Sequence, residues 1–353
     1  MTPVHIAGRG LACSLGLGVE QVLASLPQSA AHTTRVTLPG AMAGDYPYHA
    51  IPFSRSDWNE RARELVQRVA ADAGAQQIRN GVLLIATSSF DIGAVERGAT
   101  QMDYQAFADK VAAWLDWSGP VHVVNTACTS SLNALLAAQA LLRSGAATDA
   151  LVLGVELDNR LTLGGFAALQ LLSRTGSKPF GEQRDGLVLG EAVAALRLST
   201  RDSALWRLAG GANVVDGEQP TGASVRAVKE MCAHALSDSG ATADGIDLIK
   251  VQAAGSPGND AVEAQGLRET FKHMPPLVSL KAAMGHTMGA SGAAEIVLLT
   301  ACLERGVWPV CEHEVDKELG VTLSTTMPQN VRRFMATILG FGGSHASVIL
   351  ERA

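Results

Sequence analysis

The 353-residue sequence predicts an α/β fold built from two related halves, and three observations carry that expectation. Short β-rich apolar runs alternate with helix-like stretches, the pattern of βα units around a largely parallel, buried sheet. After about Ser199 the alternation starts again. The polar stretch LSTRDSA there separates residues 1–199 from 200–353 without a Pro/Ser linker, so the halves should pack as one body. Charge is sparse, at 18% of residues, while 47% are apolar and 36 are glycine, which points to a large buried or interfacial area.

In chain order, VHIAG from Val4 reads as the first strand. Between Gln28 and Asp109, HTTRVTLPG and YPYHAIPFSRSDWNERARELV mix turn formers, aromatics and one charged amphipathic helix. Apart from the strand VLLIAT from Val82, most of this stretch reads as a surface insertion on the first half. VHVVN from Val121, ALVLGVE from Ala150 and AVAALRL from Ala192 complete that half. The second half brings RLAGGANVVD, LIKVQ, LVSLK, FMATILGFGG and ASVILER. GRGLACSLG after the first strand lacks the third glycine of a dinucleotide loop, and no GxSxG elbow is present.

Several function classes fall away on charge and composition. With 28 Lys and Arg against 34 Asp and Glu and no basic run, nothing offers phosphates an electrostatic footprint, so nucleic acid is not expected as a partner. His5 and Arg9 interrupt the opening residues where a signal peptide would be apolar, and no window has the length of a membrane span. Cys13, Cys128, Cys232, Cys302 and Cys311 are odd in number and irregular in spacing, which suits a reduced, cytoplasmic setting. CEHEVD at Cys311 has metal-capable side chains, but adjacent ligands do not close a tetrahedral site, and no metal is expected.

The sharpest local signal is VHVVNTACTSSLNALLAAQALLRSG, where a β-rich run turns through small polar residues into an Ala/Leu helix. Cys128 would stand at that helix's N-terminus, where free N–H groups and the dipole favour a thiolate nucleophile.

The TACTSS turn, KPFGEQRDGLVLGEA from Lys178, SLKAAMGHTMGASGAAE from Ser279 and GFGGSHASVIL from Gly340 stand in one order along the chain. Together they resemble the β-ketoacyl synthases of fatty acid and polyketide assembly. The resemblance implies a thiolase-like fold of five αβαβα layers and a dimer. It also implies no bound cofactor, with acyl thioesters delivered on the phosphopantetheine arm of an acyl carrier protein. It makes Cys128 the acylated nucleophile, with its own N–H and that of Phe341 as oxyanion donors. His286 becomes the histidine that donates to the extender thioester carbonyl, and Lys281 and Glu295 the charged pair that orients the site. Ala254, Ser256 and Gly342 would lie along the substrate.

The chain departs from the family's pattern at one catalytic position. Condensing members open an HGTGT-type loop with a histidine, and VQAAGSPGNDAVEAQ puts Ala254 there, with no histidine between His234 and His273. Gly181 stands where Asp is usual in KPFG, and His345 where Asn is usual, as a structural replacement or as a stand-in donor if its ring turns inward. The region before Cys128 is shorter than in full-length members. These features suggest a weakly condensing partner in a ketosynthase heterodimer, in the manner of a chain-length factor. An active synthase, as a homodimer with itself, and a Cys128-dependent acyltransferase or hydrolase are the other readings. A degradative thiolase would want a second reactive cysteine in a Gly-rich setting, which Cys311 lacks.

Overall fold

The structure, a computed structural model, describes residues 2–40, 43–99, 103–218, 220–310 and 313–353. In the first half of the chain come β1 (His5–Cys13), β2 (Gly16–Leu17), α1 (Val19–Ser25), β3 (Thr34–Leu38), β4 (Gly44–His49), α2 (Trp58–Asp72), β5 (Val82–Ala86), α3 (Ile92–Val95), α4 (Tyr104–Trp114), β6 (Val121–Val124), α5 (Ser130–Arg143), β7 (Asp149–Glu156), α6 (Arg160–Ala168), β8 (Leu189–Gly190) and β9 (Ala192–Ser199). Then follow β10 (Trp206–Val215), α7 (Val225–Ser239), β11 (Leu248–Lys250), α8 (Pro257–Thr270), β12 (Leu277–Val278), α9 (Lys281–Met284), α10 (Ser291–Arg305), β13 (Arg333–Leu339) and β14 (Ser344–Arg352).

Two runs of strands, β6-β5-β7-β9-β1 and β10-β14-β13-β11-β12, meet where His5 pairs with Arg207. Strand directions repeat from one run to the other. β5 is parallel to β6 and β7, β7 antiparallel to β9, and β9 to β1. Likewise β11 is parallel to β12 and β13, β13 antiparallel to β14, and β14 to β10. The sheet is therefore mixed, which corrects the expectation of a largely parallel one. β13 returns into β14 through the tight turn from Gly340 to Gly343, too short for the crossover that parallel pairing requires. β1 and β9 meet from opposite ends of the first half, so periodicity within either strand carries no sign of their relative direction.

Helices complete five layers. α2 and α4 cover the outer face of the first run, α5 and α10 fill the space between the runs, and α7 and α8 cover the second. α10 is apolar nearly all round, and every residue from Ser291 to Leu303 is buried, as a helix packed on both sides requires. α2 corrects the surface-insertion reading. Asp57 caps it by accepting from the Glu60 N–H at 2.8 Å, and Trp58, Ala62, Leu65, Val66 and Val69 are buried against β1 and β9. Gly8 and Gly10 of β1 admit this helix closely: a Cβ at either would stand 2.1 Å from the carbonyl oxygen of Ala73 or Val69. β3, β4 and β8 form a separate three-stranded sheet. Among the described residues no helix is long and apolar enough to cross a membrane.

Candidate active site

Cys128 sits on the elbow between β6 and α5. Ala127 before it takes φ 53°, a left-handed conformation that costs an L-residue roughly 1–2 kcal/mol and persists only where neighbours hold it. The holders are local. Ser130 Oγ donates to the Ala127 carbonyl at 2.6 Å and accepts from the Thr126 N–H at 2.9 Å, and Thr129 Oγ1 donates to the Thr126 carbonyl at 2.7 Å. This bend presents Cys128 Sγ 3.0 Å from His286 Nε2.

His286 is fixed from both sides of its backbone, its N–H to the Val188 carbonyl at 2.7 Å and its carbonyl accepting from Gly190 at 3.0 Å. Its other ring nitrogen, Nδ1, lies 3.1 Å from Ser291 Oγ at the start of α10, which in turn lies 3.2 Å from Thr287 Oγ1. The Phe341 N–H and the N–H of Cys128 itself reach the sulfur, and the Phe341 ring stacks on Phe166 with centroids 5.3 Å apart.

Burial pushes the Cys128 thiol up to about 11, against the Phe341 N–H and a protonated Lys281, either of which would pull it down. Burial, with Lys281 and Lys250 nearby, holds His286 well below the ordinary imidazole range. At neutral pH the pair is a thiol beside a neutral imidazole. This corrects the thiolate expected from the helix N-terminus. The N–H groups of Thr129 and Ser130 are already engaged by the carbonyls of Thr126 and Ala127.

Lys281 and Glu295 come together as the sequence suggested, with Nζ bonded to Oε1. The sequence reading missed a second cation. Lys250 of β11 places its Nζ 2.6 Å from Glu295 Oε2 and 2.8 Å from the Thr337 carbonyl. Glu263 stands beside it, accepting from the N–H groups of Gln252 and Ala253 and from Thr337 Oγ1 at 2.7–2.8 Å. All four ionisable side chains are buried. The available signal was a lysine inside the apolar run LIKVQ, since a buried strand tolerates a charge only with partners.

Ala254 is buried with Tyr46, Tyr48, Leu189 and Met288 in an apolar cluster. Its loop is drawn around Asp260, whose carboxylate accepts from the N–H groups of Phe180 (2.8 Å), Ala254 (3.2 Å), Gly255 (3.0 Å) and Ser256 (3.2 Å). The Ser256 N–H is thus turned inward, and Gly342 gives its N–H to the Pro220 carbonyl at 2.8 Å. Neither N–H is free to bond a substrate.

His345 does not replace the missing imidazole. Ser344 turns its Oγ toward Thr129 at 2.8 Å, and Ala346 and Val348 join the inner core, so alternation along β14 sends His345 to the outer face, where it feels Asp216. At Gly181 a Cβ would stand 2.7 Å from Lys178 Cβ and 3.0 Å from His313 Cδ2, leaving no room for an aspartate without rearrangement. Cys311 lies outside the described residues. Among the described residues, no three His, Cys, Asp or Glu side chains are grouped to hold a metal ion. A cleft of 790 Å³ opens elsewhere, beside β4 and α2, and is lined by neither Cys128 nor His286.

Known proteins share this architecture. Residues 59–204 match the family model for the N-terminal domain of β-ketoacyl synthase, and residues 208–314 that for its C-terminal domain. The chain is 30% identical over 286 residues to the non-reducing polyketide synthase sor2 of Hypocrea jecorina, covering 69% of this chain but only 10% of that protein. With the actinorhodin polyketide putative beta-ketoacyl synthase 1 of Streptomyces coelicolor it shares 28% identity over 327 residues, 84% of this chain and 70% of the other.

Among solved structures, it resembles the ketosynthase ApeO in complex with its chain length factor ApeC from Xenorhabdus doucetiae. The TM-score is 0.85 at 22% identity, over 100% of this chain and 98% of that one. It also resembles AntDE:AntF, a type II acyl-carrier protein in complex with its ketosynthase bound to the hexaketide, with TM-score 0.88 at 20% identity and 100% of each chain covered. With the layered fold, the two matched domains and the elbow cysteine facing a histidine, the chain belongs to the β-ketoacyl synthase family.

Proposed function

We propose that this chain is a ketosynthase-family subunit of polyketide or fatty acid assembly that keeps an acylatable cysteine but condenses weakly by itself. It pairs with a homologous ketosynthase in the manner of a chain-length factor, on thioesters carried by the phosphopantetheine arm of an acyl carrier protein. Residues 1–199 and 200–353 are its two halves. The observation that carries this reading is Ala254, a methyl group in the imidazole's place, with His345 facing the other side of the sheet.

Acyl transfer follows from the groups present. The thiol is protonated at neutral pH, so its proton passes to His286 Nε2 as the sulfur attacks the thioester carbonyl. The oxyanion then meets the N–H groups of Phe341 and Cys128, and His286 returns the proton to the departing carrier thiolate. Ser291 Oγ both donates and accepts, so it serves either tautomer of the ring.

Decarboxylation of a malonyl thioester is a different demand. Its enolate oxygen would find His286 alone, and loss of one such donor costs about 2.7–4 kcal/mol, roughly 10²–10³ in rate. The intact Cys128–His286 contact also supports a second reading, an active synthase working as a homodimer. For either assembly, β6 supplies an edge: it ends its run of strands and carries the half-buried Val121, Val123 and Val124.

The test is to assay ¹⁴CO₂ release from malonyl carrier protein with the chain alone and with a co-expressed ketosynthase homologue. Slow release alone and normal condensation in the mixture is the expected outcome. Full condensation by the chain alone selects the second reading.

A further inference from the structure

Glu295 lies fully buried with a lysine at each oxygen, Lys281 at Oε1 and Lys250 at Oε2. One carboxylate neutralises one ammonium, so the second lysine needs another reason to hold a proton. Glu263 faces both lysines from α8 and its charge favours a proton on either, but the hydrogen bonds it accepts come from two backbone N–H groups and the Thr337 hydroxyl, so it offers no second acceptor to Lys281. β13 offers no charge, only the carbonyl and hydroxyl of Thr337.

The two lysines are not equally served. An ammonium has three N–H donors, and buried donors without acceptors are strongly disfavoured. Lys250 Nζ has two acceptors, Glu295 Oε2 and the Thr337 carbonyl, whereas Lys281 Nζ has Glu295 Oε1. Lys281 also faces Cys128 and His286, which are neutral together.

We propose that Lys250 is the ammonium that neutralises Glu295, and that it thereby lets Lys281 stand as a neutral amine at the Cys128–His286 pair. Lys250 is then a positioning residue that sets where the cluster keeps its positive charge. Burial lowers both lysines, so the cluster favours shedding a proton from one of them. The significance for acyl transfer rests on the function proposed above; the protonation states do not.

The sign of one shift tests the proposal. Alkylation of Cys128 by iodoacetamide is followed across pH by mass spectrometry of the intact and digested chain, in the wild type and in Lys250→Met. In the variant Glu295 has only Lys281, which takes up the proton, so a positive charge appears at the lysine that acts on the sulfur. The alkylation midpoint then moves down by about one pH unit. If Lys281 is already charged in the wild type, the variant merely loses a cation and the midpoint stays or rises, which overturns the proposal.

Should Lys250→Met not fold, ¹³Cε-lysine NMR of the wild type decides. The seven lysines of the chain are few enough to assign by single Lys→Arg replacements. One neutral-amine resonance near pH 7, lost on Lys281→Arg, is expected; seven ammonium resonances overturn the proposal. Neither measurement uses a carrier protein, so failure of the proposed condensation role would leave both readouts standing.

Discussion

At Ala254 the chain offers a methyl group where an enolate oxygen would meet an imidazole, while the groups around the sulfur remain together. Ala254→His should therefore raise malonyl decarboxylation and leave acyl transfer to Cys128 nearly unchanged. The gain should be about tenfold rather than the full 10²–10³ of one donor, because Tyr46, Tyr48 and Met288 must yield to seat a ring. Carbon dioxide release and radiolabelled acylation of the two proteins separate the effects.

A second expectation concerns the thiols. Cys13, Cys232 and Cys302 are pushed up to about 12 and Cys128 to about 11, and only Cys128 has an imidazole against its sulfur. Iodoacetamide should label Cys128 first among these four, and equal labelling would show that His286 does not act as its base. Cys128, His286, Lys281 and Glu295 were legible because each sits in a distinctive short motif. Lys250 was not, because its hydrogen-bond partners Glu295 and Thr337 lie on α10 and β13, 45 and 87 residues further along the chain.

At the scale of elements, α2 and the β3–β4 hairpin divide a stretch that reads as one irregular region. The helix carries its own signal, with Asp57 before it and apolar residues at helical spacing. The sequence could not show that Gly8 and Gly10 open β1 to receive it. Leu65→Ala should cost 2–5 kcal/mol in urea unfolding, as for a filled core site, whereas an external helix would lose much less.

The hairpin ends at His49, buried with Nδ1 3.3 Å from Ser14 Oγ, and burial lowers its ring to about 4. Above pH 6.5 the ring is neutral in folded and unfolded chains alike. As the pH falls from 6.5 to about 4 the unfolded chain takes up a proton that the folded chain refuses, so stability drops by about 3 kcal/mol. Urea titrations at a series of pH values should show the total fall over this range smaller by that amount in His49→Gln; parallel curves would mean the ring is charged in the fold.

For the whole molecule, the five layers were legible through the family resemblance and the number of strands through periodicity. Strand direction was not, because β1–β9 and β10–β14 pair over long sequence separations. The edge at β6 and the charge-poor composition lead to a further expectation: native mass spectrometry should show a dimer, with the mixed species dominant when a ketosynthase homologue is co-expressed. A monomer under both conditions would remove the subunit reading.

The central helix α10 has one more consequence, in the time domain. It supplies both Glu295 and the Ser291 hydroxyl behind His286, and it is closed in from Ser291 to Leu303 on every side. Its amides can exchange with deuterated water only when the two strand runs come apart, so they should be among the last to exchange. The reactive cluster is thus anchored to the part of the chain that opens last, and heat inactivation of Cys128 acylation should coincide with global unfolding rather than precede it.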